Sequence, residues 1–205
     1  GANTTGTLNT ALGHQVLEKN TTADNNIAVG GNALFKNTTG TRNTAVGALS
    51  LDKNTTGSYS TALGYGTLSS QTATGDAYNT AIGYNAGVAI TTGVKNVIVG
   101  ALAADSMTTG SENTIIGNGA AGNGVISGSN NTALGRSAGL SLTTGGNNLL
   151  LGHDSGITGS PGGNINTESN RVCLGDENIT HIYAQVQIIS SSDERDKTDF
   201  TALDL

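Results

Sequence analysis

The chain is 205 residues long, with 31 Gly, one Pro, one Cys, no Trp and two Phe. Its formal charge is −6, and only 12% of its residues are charged while 35% are hydrophobic. That balance excludes a bulky aromatic core, the charge-rich and apolar-poor composition of a disordered chain, and, with so little Pro, a collagen-like or polyproline stalk.

Seven of the fifteen acidic residues, from Asp176 to Asp204, fall in the last thirty positions, so the body is nearly neutral. No basic stripe is present to follow a phosphate backbone, and nucleic acid is not an expected partner. No apolar run approaches about 18 residues, so neither membrane insertion nor a signal peptide is expected. Cys173 stands alone between Val172 and Leu174 and reads as a small buried hydrophobe.

From the N-terminus one phrase returns: Asn9-Thr-Ala-Leu-Gly13, Asn26-Ile-Ala-Val-Gly30, Asn43-Thr-Ala-Val-Gly47, Ser60-Thr-Ala-Leu-Gly64 and Asn79-Thr-Ala-Ile-Gly83. It continues as Asn96-Val-Ile-Val-Gly100, Asn113-Thr-Ile-Ile-Gly117, Asn131-Thr-Ala-Leu-Gly135, Asn148-Leu-Leu-Leu-Gly152 and a degenerate Arg171-Val-Cys-Leu-Gly175. Successive closing glycines lie 17, 17, 17, 19, 17, 17, 18, 17 and 23 residues apart. Such regularity identifies a repeat array.

Counting each unit from its leading Asn as position one, the fourth position is always Leu, Val or Ile, which predicts that it faces a dry interior. The third position points the other way along a strand. It is mostly Ala, with Ile98, Ile115, Leu150 and Cys173 as exceptions, so both faces are apolar and both are expected to be covered. A second short segment is centred on Val16-Leu17, Ala33-Leu34, Ser50-Leu51 and Thr67-Leu68. The closing glycine and the later Thr-Thr-Gly supply positive φ or tight corners. Asn leads eight of the ten units, as a stacked side-chain ladder requires. A thin coil with so few large apolar residues per unit is marginal alone, although stacking extends its core. The expected fold is therefore all-β, a repetitive β-helix or β-roll fibre of 17-residue repeats, assembled as an obligate homo-oligomer and most simply a trimer.

After Gly175, residues Ile182, Ala184, Val186 and Ile188 alternate with polar or small neighbours and predict one longer strand. The segment that follows carries Ser191, Ser192, Asp193, Arg195, Lys197, Asp199 and Phe200. It closely resembles the opening of the intramolecular chaperone domain of bacteriophage tail fibres and tailspikes, whose signature is S-S-D-x-R-x-K-x-D followed by an aliphatic or aromatic residue. The repeats are similar to such fibres and to the heads of trimeric autotransporter adhesins. The resemblance implies a homotrimer folded with a C-terminal chaperone that is released by cleavage between Ser192 and Asp193. Ser192 would be the cleavage-site serine and Lys197 its candidate base, since a desolvated Lys can activate a hydroxyl. The organisation so implied is an array over 1–175, a closing strand over 176–192, and the opening of the chaperone over 193–205, most of which would lie beyond Leu205.

The other candidates are weaker. His14, His153 and His181 read as falling at different repeat positions, and Asp24, Asp52, Asp76, Asp105 and Asp154 do not recur in register, so no metal and no calcium site is expected. Gly119 to Gly124 lacks the Lys of a phosphate loop, and no cofactor is expected. The Asn-Thr-Thr triplets at Asn3, Asn20, Asn37 and Asn54 are formal glycosylation sequons that read as turn chemistry. Insertions at Gln71–Tyr78, Asn123–Gly128 and Gly152–Asn170 become surface loops, and Tyr59, Tyr65, Tyr78 and Tyr84 beside the first are the candidate receptor contacts. The expected function is a rigid homotrimeric shaft of a phage tail fibre on the virion. It would join the rest of the fibre and meet a host glycan or outer-membrane receptor, with no enzymatic activity beyond one self-cleavage. The alternative is a bacterial surface adhesin or injection-machine fibre. An ice-binding solenoid, suggested by the Thr-Thr pairs, and a polysaccharide depolymerase rank after both.

Overall fold

In the computed structural model, which describes residues 3–124 and 126–181, each repeat unit makes one circuit of a parallel β-solenoid. The described residues contain twelve short strands and no helix. They are β1 (Thr10–Leu12), β2 (Ile27–Val29), β3 (Thr44–Val46), β4 (Gly57–Ser58), β5 (Thr61–Leu63), β6 (Gly75–Asp76), β7 (Thr80–Ile82), β8 (Val97–Val99), β9 (Thr114–Ile116), β10 (Thr132–Leu134), β11 (Leu149–Leu151) and β12 (Val172–Leu174). Ten of them stack in sequence order into one parallel sheet, while β4 and β6 pair separately. Thr10 lies beside Ile27, Thr61 beside Thr80 and Leu149 beside Val172, so the irregular spacings change loop length without moving the register. The expected strand over 182–188, and Ser192, Asp193 and Lys197, lie outside the described residues.

Parity within the strand decides what is inside, and the expectation for position four is corrected here. The leading Asn points inward, and side chains two apart share a face. Position three therefore follows it into the interior: Ala28, Ala45, Ala62, Ala81, Ile98, Ile115, Ala133, Leu150 and Cys173 are buried. Position four, although always Leu, Val or Ile, faces outward, as Leu12, Leu63, Ile82 and Leu134 show by their exposure.

The leading asparagines form the expected ladder. The Asn96 amide donates to the Gly110 carbonyl across the coil at 2.9 Å, and its Oδ1 accepts the Asn113 backbone N–H at 3.0 Å. The same pair of bonds recurs at Asn26, Asn43, Asn113 and Asn131. Each rung thus satisfies a buried carbonyl and a buried N–H that the strands leave over. A second ladder, Asn20, Asn37 and Asn54, runs through position twelve of the first coils. Those three are among the four sequon asparagines, and their burial as ladder members explains their repetition by packing. Where Ser60 replaces a leading Asn, the longer Gln71 fills the gap, bonding Ser60, Asn54 and Asn79.

The core changes composition along the axis. In the first four coils small Ala at position three is matched by Leu17, Leu34, Leu51 and Leu68 at position nine. From the fifth coil position nine becomes small, as Gly87, Ala104, Ala121 and Gly139, while Ile98, Ile115 and Leu150 enter at position three in the sixth, seventh and ninth coils. Position twelve turns from Asn to Ile90, Met107 and Leu142. A methyl group on Gly87 would sit 2.9 Å from Ile90 Cδ1 and 3.1 Å from Ile98 Cδ1. Close packing makes such exchanges compensatory.

The two recurrent glycines serve different ends. Closing glycines from Gly13 to Gly152 have φ between 107° and 143°, a region side chains rarely adopt, and a methyl group on Gly47 would lie 2.3 Å from the Gly64 oxygen. The Thr-Thr-Gly glycines are needed for close approach: a methyl group on Gly40 would meet the Gly57 oxygen at 2.3 Å. The second short segment of the repeat is a turn in which Leu17, Leu34, Leu51 and Leu68 take φ of 49° to 52°. Its N–H groups still bond the neighbouring coil, as Leu34 does to the Ser50 carbonyl at 3.0 Å.

Candidate functional site

The outward face of the ten-stranded sheet carries the most regular exposed chemistry among the described residues. Its floor has two columns. Position four gives ten stacked Leu, Val or Ile, with Leu12 67%, Leu63 45% and Leu134 47% exposed. Position two gives Thr in six coils and Ile27, Val97, Leu149 and Val172 in the others. All-parallel sheets are ordinarily covered on both faces, and here the outward face carries a continuous apolar column.

Two edge columns border this floor. Along one edge, the residue preceding each leading position has φ of 51° to 62°, from Leu8 through Arg42, Tyr59 and Tyr78 to Asn170. That backbone projects successive side chains into a ladder. The Arg42 guanidinium donates to the Tyr59 hydroxyl at 2.6 Å and lies 5.2 Å from its ring, and Tyr59 stacks on Tyr78 with centroids 5.0 Å apart. Tyr78 donates to Asp76 at 3.1 Å, and this bond to a carboxylate raises its phenol above the usual range. Lys95 and Glu112 pair at 3.0 Å further along, and Asn147 bonds Asn170 at 2.7 Å. A shallow depression of about 300 Å³ lies between this edge and the floor, lined by Asn130, Asn147, Asn170, Thr132, Leu149 and Val172 among others.

The opposite edge is formed by the residue after each closing glycine. Here Tyr65 stacks on Tyr84 at 5.7 Å. Nearer the C-terminus the His153 ring contacts the Arg136 guanidinium on one side and the Asp176 carboxylate, at 3.2 Å, on the other. The Asp176 carboxyl is held below its usual range, first by the Asn178 backbone N–H and then by His153.

The four tyrosines of the sequence reading are therefore not one cluster. They form two decks on opposite edges of the same two coils. In each deck a ring face is covered by its partner, and Arg42 lies over Tyr59, so the decks offer edges and hydroxyls more than open faces. Their pairing was legible as a 19-residue spacing, equal to that between Gly64 and Gly83. The histidine reading is corrected in one respect: His14 and His153 both follow a closing glycine, but in the first and ninth coils. Among the described residues no group of three His, Cys, Asp or Glu is placed to hold a metal ion. In most Thr-Thr pairs the first hydroxyl bonds the next coil, as Thr38 does to the Thr55 carbonyl at 3.0 Å, which leaves only the second Thr exposed to solvent. No family profile, curated protein or solved structure matches this chain.

Proposed function

We propose that this chain is the rigid shaft of a homotrimeric attachment fibre, of the kind carried on a phage tail. The observation that carries the reading is the outward column of ten Leu, Val or Ile side chains, which other copies of the same chain would cover. Nine steps of about 4.8 Å by six residues of about 3.3 Å give a face of roughly 850 Å². In a trimer that area is shared between two seams, and its total compares with the about 800 Å² that each partner buries in one standard-size interface. The solenoid supplies stiffness, because every coil is bonded to the next around its circuit, and copies in parallel supply multivalency, so weak receptor contacts add. Cleavage between Ser192 and Asp193, with Lys197 as base, belongs to the same proposal and rests on the C-terminal motif alone.

Charging the floor tests the assembly: Ile82→Glu with Val99→Glu yields a folded β-rich monomer in this reading, whereas an unchanged assembly contradicts it. Immunogold labelling tests the setting. Gold on virion tails supports the fibre, and gold confined to the bacterial surface transfers the reading to an adhesin.

A further inference from the structure

We infer that the two tyrosine decks are halves of an interchain clasp, Tyr59 and Tyr78 of one copy meeting Tyr65 and Tyr84 of the next, which fixes neighbouring copies parallel and in register. The inference rests on the proposed self-assembly through the outward face and specifies how that face closes.

Symmetry sets the geometry. When three or more copies are related by a cyclic axis parallel to the solenoid, the contact is heterologous, and with two copies the same unlike edges still meet. The edge preceding the strands in one copy then abuts the edge after the closing glycines in its neighbour, whatever the number of copies. The two edges match level by level. In the fourth and fifth coils both edges are aromatic, and Tyr65, Tyr78 and Tyr84 are 49%, 48% and 53% exposed. Nearer the C-terminus the amide edge of Asn130, Asn147 and Asn170, with its depression of about 300 Å³, stands level with Arg136, His153 and Asp176 on the other edge. A donor-and-acceptor ladder thus faces a charged ladder. An antiparallel copy would set the tyrosines against the Lys95 and Glu112 level and lose both matches.

The rings suit such a seam. Stacking within each deck leaves the ring edges outward, and aromatic edges pack well into a facing deck in offset or edge-to-face geometry. Within one chain the two decks cannot meet, because six residues of near-extended backbone separate them by up to about 20 Å.

The test is oxidative cross-linking of the full chain carrying Tyr78→Cys and Tyr84→Cys, with each single substitution alongside. A disulfide needs Cα atoms within about 7 Å, so any bond between these sites joins two chains. The expected result is a covalent closed ring from the double variant, of the same mass as the assembly in solution, and little product from either single variant. Tyr84→Phe should keep the assembly, and Tyr84→Ala should weaken it by about tenfold or more at each seam. An assembled double variant that cross-links no more than the singles overturns the clasp while leaving self-assembly standing. A monomeric unsubstituted chain overturns both.

Discussion

Replacing Asn96 by Ala removes one rung of the ladder, and its cost can be worked from the bonds it makes. The side chain donates to Gly110 at 2.9 Å and to Asn79 Oδ1 at 3.1 Å, and it accepts from the Asn113 N–H at 3.0 Å. Asn79 Oδ1 keeps the Asn96 backbone N–H, also at 2.9 Å, and so stays satisfied. The Gly110 carbonyl and the Asn113 N–H lose these partners in a buried interior. Each such group costs about 1–3 kcal/mol, so the substitution should destabilise by about 2–6 kcal/mol. Asn96→Asp keeps the acceptor but sets a carboxylate against the Gly110 carbonyl. Burial and that dipole would raise its pKa. A raised folded-state value means that the penalty is largest at neutral pH and shrinks as pH falls through that value. Guanidinium unfolding at fixed protein concentration measures both, read as a lower midpoint at unchanged slope. A loss below about 1 kcal/mol for Asn96→Ala, or a pH-independent loss for Asn96→Asp, would refute the ladder as the source of stability.

Four further outcomes are expected. Gly100→Ala, at φ of 134° and with its new methyl 2.4 Å from the Gly117 oxygen, should cost at least about 2 kcal/mol in the same unfolding assay. Gly31→Ala, with open space around it, should change the midpoint by less than about 0.5 kcal/mol. Ile98→Ala should cost about 2–5 kcal/mol. Because Ile98 Cδ1 faces Gly87, adding Gly87→Ala should give a double variant less destabilised than the sum by at least about 0.5 kcal/mol, as a double-mutant cycle would measure. Asp52 is half-buried with Oδ1 unpartnered, and desolvation raises its carboxyl above 3.8. Its ionised form therefore opposes folding at neutral pH, and the opposition fades as pH falls through the raised value. Asp52→Asn should stabilise at pH 7 by no more than about 1 kcal/mol, given solvent screening, and the gain should vanish near pH 3.

The period, the parallel stacking and the Asn ladder were legible because they depend on recurrence, which composition cannot hide. The inside and outside of the strand were not read correctly from hydrophobicity, since positions three and four are both apolar. The deciding signal was the leading Asn, whose ladder must be enclosed and which carries position three inward with it. The buried leucines in left-handed backbone, Leu34 and Leu51 among them, had no local signature, because that conformation is imposed on them by bonds to neighbouring coils. The exchange of Leu68 for Gly87 is visible in the sequence, yet its meaning needs Ile98 across the core. The tyrosines were picked out by exposure and aromaticity, and only the coil geometry divides them into two edges.

The most direct test of the central claim, that copies of this chain cover the outward apolar face, is the solution mass by light scattering across a dilution series. A stable species near 61 kDa, about three times the 20.4 kDa chain, is the predicted result. A folded species of 20.4 kDa that persists at high concentration would contradict it.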